Sequence, residues 1–116
     1  MEGLLKKYKN FVSGYKQVQV SLDASASEIA APKLRITKKY GPEKNRLVEV
    51  ELRKGDAHVE AKGTTDFMLC YRDPKKPLKQ KKVYFKAGDT RERDMWMMHV
   101  VDAIDRAPLA EDGIIQ

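Results

Sequence analysis

The chain has 116 residues and a mass of 13.3 kDa, the size of one ordinary domain. Hydrophobic residues make up 41% and charged residues 34%, so the sequence supports one buried core and excludes a disordered tail. No run approaches the roughly 18 consecutive apolar residues of a membrane span, and the amino terminus lacks the apolar segment of a secretory signal. A single cysteine, Cys70, excludes an intramolecular disulfide and a multi-thiolate metal site. We therefore expect one intracellular domain in a reducing compartment.

The net charge of +6 is distributed unevenly along the chain. Residues 1–22 carry +3, residues 33–54 carry +5 and residues 72–86 carry +6, whereas residues 89–116 carry −4. If the three basic stretches converge in the fold, they give the domain one electropositive face that attracts an anionic partner.

Short runs of β-type residues separated by turn residues fill the first part of the chain. The period-two alternation and the β-branched content favour strands over helices. Glycine, proline and aspartate punctuate the runs and predict turns between them. The seven predicted strands cover residues 4–8, 18–22, 34–37, 47–52, 57–61, 67–71 and 83–85.

The periodicity becomes helical after Gly88. Asp89 with Glu92 three residues later has the capping-box spacing, and no Gly or Pro interrupts the run before Pro108. These features predict one amphipathic helix from Thr90 to Arg106, with Trp96 on its apolar face. The predicted class is mainly β: a seven-stranded, bent antiparallel β-barrel capped by one C-terminal α-helix.

Two connections differ from simple hairpin turns. Residues 24–32 are longer than a hairpin needs and have no strand pattern, so a short helical turn fits there. Residues 73–82, rich in lysine and proline, predict an extended loop because prolines and like charges both oppose compaction.

The residues present give no support to catalysis. His58 and His99 are the only histidines. We expect His58 to face solvent on a strand, His99 to lie on the polar face of the helix, and Cys70 to be a small buried hydrophobe. Glycines occur singly, which excludes phosphate-binding loops of the Walker and dinucleotide types, and two distant histidines do not form a zinc site. We expect no enzyme, no catalytic residue, no metal and no cofactor.

The segment of residues 6–16, KKYKNFVSGYK, interleaves lysines with large apolar side chains between two predicted strands. This combination suits a membrane interface, since lysines are attracted to anionic headgroups while Phe11, Val12 and Tyr15 enter the headgroup and acyl boundary. In the alternative interpretation, Phe11 and Tyr15 fold back into the core and the lysines are ordinary solvated charges.

These features together resemble a pleckstrin homology (PH) domain. The run KVYFKA at residues 82–87, followed by RERDMW at residues 91–96, is similar to the last strand and the tryptophan-bearing helix of that family. The run EGLLKKYKNF at residues 2–11, with Gly14 and Tyr15, resembles the start of the subfamily found in four-phosphate adaptor, ceramide-transfer and oxysterol-binding proteins. The resemblance spans residues 1–107, and residues 108–116 form a short tail.

The resemblance implies recognition of a phosphoinositide headgroup at the open end of the barrel, with Lys7 at the family's phosphate-contacting lysine. Val18 and Gln19 stand where the subfamily has an arginine and an aromatic residue. Because valine cannot donate to phosphate, neighbouring cations would form a looser, more electrostatic site. The expected headgroup-binding residues are Lys7, Lys9, Lys16, Lys38, Lys39 and Arg46, and the expected membrane wedge is Phe11, Val12 and Tyr15.

The sequence thus predicts a monomeric, non-catalytic module that binds phosphoinositides or other anionic lipids and recruits the protein to cytoplasmic membrane surfaces as a peripheral membrane protein. The alternative is a PH-fold scaffold for an acidic protein partner, with weak or no specific lipid binding. The basic residues 75–82 also suit nucleic acid or a nuclear-import stretch, but they lack the interleaved aromatic residues that stack on bases, so we expect no nucleic-acid partner.

Overall fold

A computed structural model describes residues 1–25, 30–73 and 76–108 of the chain. It contains seven strands and one helix, which confirms the predicted elements; the predicted helix bounds are also the observed ones. The strands are β1 (Glu2–Asn10), β2 (Gly14–Asp23), β3 (Lys33–Lys38), β4 (Leu47–Glu51), β5 (His58–Lys62), β6 (Asp66–Asp73) and β7 (Lys76–Lys86), and the helix is α1 (Thr90–Arg106).

All seven strands form one antiparallel sheet in the order β4-β3-β2-β1-β7-β6-β5. The centre of this sheet is narrow, because β1 and β7 pair only through Lys6 with Lys86 and Lys7 with Phe85. We call these two pairs the seam. The sheet bends so that both of its halves contribute to one core, but β4 and β5 remain its edges. The predicted mainly β, bent architecture is therefore confirmed, whereas hydrogen-bonded closure of the barrel is not reached by the described strands.

The core follows from the alternation of each strand. Leu5 of β1, Val18 of β2 and Ile36 of β3 are buried on the same face of the sheet, because their strands pair in register. Phe67 and Phe85 from the other half of the sheet join the same cluster, with ring centroids 5.3 Å apart.

The helix is fixed at its start by the predicted cap. The Asp89 carboxylate accepts from the Glu92 amide at 2.7 Å, and the Glu92 carboxylate accepts from the Gly88 amide at 3.1 Å. Buried Arg93 donates to the carbonyls of Gly63 at 3.0 Å and Asp66 at 3.3 Å, which ties the first turn of α1 to the β5–β6 turn. The position of the helix against the sheet is therefore set by polar contacts as well as by its apolar face.

Trp96 attaches the helix to the opposite half of the sheet. Its side chain is 2% exposed, and a Cβ on Gly3 of β1 would lie 3.2 Å from Trp96 Cζ2. The absence of a side chain at Gly3 thus lets the indole lie close to the backbone of β1. The helix consequently links the β1–β4 half of the sheet to the β5–β7 half.

The predicted loop at residues 73–82 is wrong for most of its length. β6 extends to Asp73 and β7 begins at Lys76, with Tyr71 opposite Lys81. The Lys81 ammonium lies 3.1 Å from the Asp73 carboxylate, so an ion pair offsets part of the lysine repulsion expected to hold this segment open. Of the other predicted irregular segments, residues 26–29 of the possible helical turn and residues 109–116 of the tail lie outside the described residues.

We expect Trp96→Ala to lower the free energy of unfolding by about 3–5 kcal/mol, because it removes a buried indole that packs against both halves of the sheet. Urea unfolding followed by circular dichroism measures this change. Met98→Ala on the exposed face of the same helix is the control, and it should change stability by about 0.5 kcal/mol or less. Equal stability of the two variants would contradict this role of Trp96.

Candidate functional site

Three hairpins turn at one end of the sheet, which we call the tip end. Since neighbouring strands are antiparallel, the β1–β2 and β3–β4 turns lie there, together with the end of β6 at Asp73 and the start of β7 at Lys76. Trp96 packs against Gly3, which lies toward the opposite end of β1. Each of the three predicted basic stretches supplies one of these hairpins, so all three reach the same end of the molecule.

Toward the tip end, the core-facing side of β1, β2 and β3 carries lysines in place of apolar side chains. Lys7 comes two residues after buried Leu5 in β1, and it lies opposite Lys16 in the β1–β2 ladder. Lys38 comes two residues after buried Ile36, and it lies opposite Val18. Because side chains of a strand alternate between faces, these lysines share the face that forms the core. The β3–β4 turn adds Arg46, whose carbonyl accepts from the Lys38 amide at 3.0 Å.

We call Lys7, Lys16, Lys38 and Arg46 the cationic cluster. Lys7 is half-buried, and no carboxylate of the described residues pairs with it. Burial lowers the pKa of Lys7 because it removes water from the ammonium, and the nearby charges of Lys38 and Arg46 lower that pKa further. The pairing of β2 with β3 brings the first two basic stretches together at this end of the sheet. An anion bound beside Lys7 would relieve its repulsion with Lys38 and Arg46.

The two remaining predicted headgroup residues lie beside the cluster. Lys9 extends over the ring of Tyr40, with its ammonium 5.7 Å from the ring centroid, and Lys38 approaches the same ring at 5.6 Å. The Tyr40 ring therefore lies within cation–π distance of both lysines. Lys39 is exposed and comes one residue after the end of β3.

A depression of about 360 Å³ opens beside this arrangement. It is lined by Lys9, Lys38, Tyr40, Gly41, Pro42 and Glu43. Four of these residues were not predicted as part of the site, and two of the four, Tyr40 and Glu43, have functional side chains. Their only sequence feature is their place inside the second basic stretch, where one aromatic residue and one acid interrupt a run of cations.

The tip of the β1–β2 hairpin carries the most exposed apolar side chains in this part of the molecule. Phe11 is 89% exposed and Val12 is 82% exposed. The turn is closed by Asn10, whose side chain accepts from the Ser13 amide at 2.7 Å, and by Gly14 with φ of 66°. The alternative in which Phe11 folds back into the core is therefore wrong. A well-formed turn holds two apolar side chains in solvent beyond the cationic cluster.

Tyr15 occupies a different place from Phe11 and Val12. Its ring is half-buried, its hydroxyl donates to the Asp66 carboxylate at 3.2 Å, and the Lys86 ammonium lies 4.6 Å from its ring centroid. Burial raises the pKa of Tyr15, and the charge of Asp66 raises it further. Tyr15 thus braces the base of the hairpin against β6 and β7, away from the hairpin tip.

The third basic stretch reaches the tip end but keeps its own pairing. Lys81 pairs with Asp73 of the same hairpin, and this hydrogen bond raises the pKa of Lys81. The third stretch meets the cationic cluster through its backbone, where Phe85 pairs with Lys7.

The two histidines and the cysteine have the exposure that the sequence predicted. His58 and His99 are exposed on β5 and α1, and Cys70 is fully buried, as expected. Among the described residues, no group of three or more His, Cys, Asp or Glu side chains could hold a metal ion. In the same part of the chain, no helix is long and apolar enough to span a bilayer.

Comparisons with known proteins identify the fold. No family model and no curated protein matches the sequence. The solution structure of the PH domain of human oxysterol-binding protein-related protein 11 matches all of this chain and 86% of its own, with a TM-score of 0.64 and 18% identity. A structure of human RhoA in complex with the DH/PH fragment of PDZRhoGEF matches 92% of this chain at a TM-score of 0.66 and 16% identity.

The match with the RhoA–PDZRhoGEF structure spans only 28% of the matched chain. At these identities the two matches show the fold alone. The chain has the PH-domain fold, as the sequence resemblance predicted.

We expect the pKa of Lys7 to rise toward its ordinary value in Lys38→Met, because the substitution removes a cation that disfavours the ammonium form. An NMR titration of the lysine side-chain carbons resolves this shift. Lys33→Met, at the other end of the same strand, is the control and should leave the Lys7 titration unchanged. A Lys7 pKa that is the same in all three proteins would contradict the proximity of Lys7 and Lys38.

Proposed function

We propose that this chain is a non-catalytic module that binds phosphoinositides and other anionic lipids and recruits the protein to cytoplasmic membrane surfaces. The observation that carries the proposal is the placement of exposed Phe11 and Val12 at the same end of the sheet as the cationic cluster. A bilayer surface offers both complements at once: phosphates for the cations, and an acyl boundary for the apolar tip.

Electrostatic attraction supplies the first part of the mechanism. Each Lys or Arg near an anionic surface contributes about 1 kcal/mol, so the four side chains of the cationic cluster contribute about 4 kcal/mol. Lys9 and Lys39 lie beside the cluster and add to the same field. Lys7 is the group best placed to contact a phosphate directly. Its half-buried ammonium has already lost part of its hydration in the free protein, so less water remains to be removed when the ligand binds.

Insertion of the hairpin tip supplies the second part. Full burial of a Phe or Val side chain contributes about 1.5–3 kcal/mol, and both side chains are nearly free of protein contacts. In this mechanism Phe11 and Val12 form the wedge. Tyr15, which the sequence grouped with them, holds the hairpin upright through Asp66 and Lys86.

Val18 favours a second candidate function, a scaffold for an acidic protein partner with weak or no specific lipid binding. Its side chain is 1% exposed and belongs to the core. The arginine that the similar subfamily has at this position could donate two hydrogen bonds to a phosphate, whereas valine donates none. Capture of a protein partner that is insensitive to substitution of Lys7 and Lys38, together with equal recruitment by neutral and anionic vesicles, would favour this second candidate.

We expect the double variant Lys7→Gln/Lys16→Gln to bind vesicles containing a monophosphorylated phosphoinositide about 30-fold more weakly, since two contributions of about 1 kcal/mol are lost. Vesicle sedimentation at low salt, with phosphatidylcholine vesicles as the blank, measures the change. Lys33→Gln/Lys54→Gln removes the same charge away from the tip end and is the matched control. The proposal fails if phosphoinositide vesicles recruit no more wild-type protein than the blank, or if both double variants lose the same affinity.

We expect Phe11→Ser/Val12→Ser to weaken vesicle binding at least tenfold while leaving the unfolding midpoint unchanged, because both side chains are exposed in the free protein. Met98→Ser, which removes an exposed apolar side chain from α1, is the control and should bind as the wild type does. Unchanged partition of the hairpin variant would show that the tip stays outside the bilayer.

A further inference from the structure

The β3–β4 turn brings an anion of its own to the cationic cluster. One carboxylate oxygen of Glu43 lies 2.8 Å from the Lys38 ammonium. The Arg46 Nη1 lies 3.2 Å from each of the two carboxylate oxygens. A single carboxylate therefore bridges two of the four cluster cations.

The backbone of the turn fixes the place of this carboxylate. The Asn45 amide donates to the Lys38 carbonyl at 2.8 Å, and the Arg46 amide donates to the Glu43 carbonyl at 3.0 Å. Asn45 adopts the left-handed region with φ of 73°, which asparagine tolerates better than most residues. Glu43 is thus positioned by the turn beside Lys38, which also approaches the ring of Tyr40.

The carboxylate makes the same kind of contact that a phosphate would make. Lysine and arginine donate charge-assisted hydrogen bonds to either group, and one set of donors cannot satisfy both fully. Hydrogen bonds from Lys38 and Arg46 lower the pKa of Glu43, so it remains ionised at neutral pH. An incoming phosphate must therefore replace an anion that is already bound.

Glu43 neutralises only part of the cluster. Its contacts reach Lys38 and Arg46, while Lys7 keeps no carboxylate partner among the described residues. An anionic ligand can therefore contact Lys7 first. It contacts Lys38 and Arg46 only when the Glu43 side chain moves aside. That side chain is half-exposed, so it has room to rotate into solvent.

From these contacts we infer that Glu43 is an internal competitor of the phosphate monoester ligand and thereby a determinant of affinity. In the free protein it holds the donors of Lys38 and Arg46, and in the bound protein it is displaced by the phosphate. This inference rests on the proposed function, because it concerns the same cationic cluster.

The test compares wild type, Glu43→Gln and Glu49→Gln. The Glu49 carboxylate lies 2.8 Å from Arg35 and 3.6 Å from Lys33, so it bridges two cations as Glu43 does, and its substitution changes the net charge equally. Arg35 and Lys33 lie farther from the tip end along β3. Glu49→Gln therefore reports the effect of overall charge without freeing donors in the cationic cluster.

Two phosphate probes separate the sources of the ligand: vesicles containing a monophosphorylated phosphoinositide, and the water-soluble inositol phosphate headgroup followed by NMR of the Lys and Arg side chains. We expect Glu43→Gln to bind both probes about tenfold more tightly than wild type, the size of one lost charge-assisted competitor. The gain should persist in high salt because it is local, whereas any gain in Glu49→Gln should disappear as salt screens it.

The outcomes distinguish this inference from the proposed function. Preferential binding of wild type to phosphoinositide vesicles, with equal gains in the two Gln variants, retains the lipid-binding function and overturns the role of Glu43. Absence of vesicle binding, with a salt-resistant gain for the soluble headgroup in Glu43→Gln alone, overturns membrane recruitment and supports the competition. Failure of all three proteins to bind either probe overturns both. Equal thermal unfolding midpoints of the three proteins would show that the substitutions act on binding.

Discussion

The alternation of side chains along β1, β2 and β3 is the constraint on which both the core and the candidate site depend. The face that buries Leu5 and Val18 near the middle of the sheet carries Lys7 and Lys16 near its tip end. Because a shift of one residue would send each side chain to the other face, the packing of the core also fixes the direction of these lysines. Packing of the core therefore determines the direction of the three strand lysines of the cationic cluster, although none of them belongs to the core itself.

Gathering cations in this way has a cost in the free protein, and the surrounding residues offset part of it. Burial and the nearby charges of Lys38 and Arg46 lower the pKa of Lys7, whereas Glu43 pairs with Lys38 and Arg46. The ring of Tyr40 offers its negative face to Lys9 and Lys38. Self-repulsion of this kind destabilises a compact state, and binding of an anion releases it. Under the proposed function, the contacts of the β3–β4 turn that offset this repulsion are also the ones that an anionic ligand would replace.

Sequence patterns were sufficient where the deciding interactions are local. Alternation located all seven strands, and Asp89 with Glu92 located the start of the helix. They failed where distant contacts decide. The β6–β7 hairpin forms through ladder pairing that outweighs the repulsion of its lysines, and Tyr15 is held by Asp66, 51 residues away. The position of Glu43 depends on how the β3–β4 turn folds back toward Lys38, and the spacing of residues in the sequence does not predict this conformation.

The seam between β1 and β7 has a consequence for the cationic cluster. Only two residue pairs connect the two halves of the sheet there, and one of them contains Lys7. Trp96 of α1 packs against Gly3 toward the other end of β1, and Tyr15 of β2 donates to Asp66 of β6, so side chains reinforce a boundary that the backbone joins only briefly. One of the two pairs of the seam is formed by the backbone of Lys7, so the seam and the cationic cluster share this residue. The position of one cation of the cluster therefore depends on the shortest strand pairing in the fold.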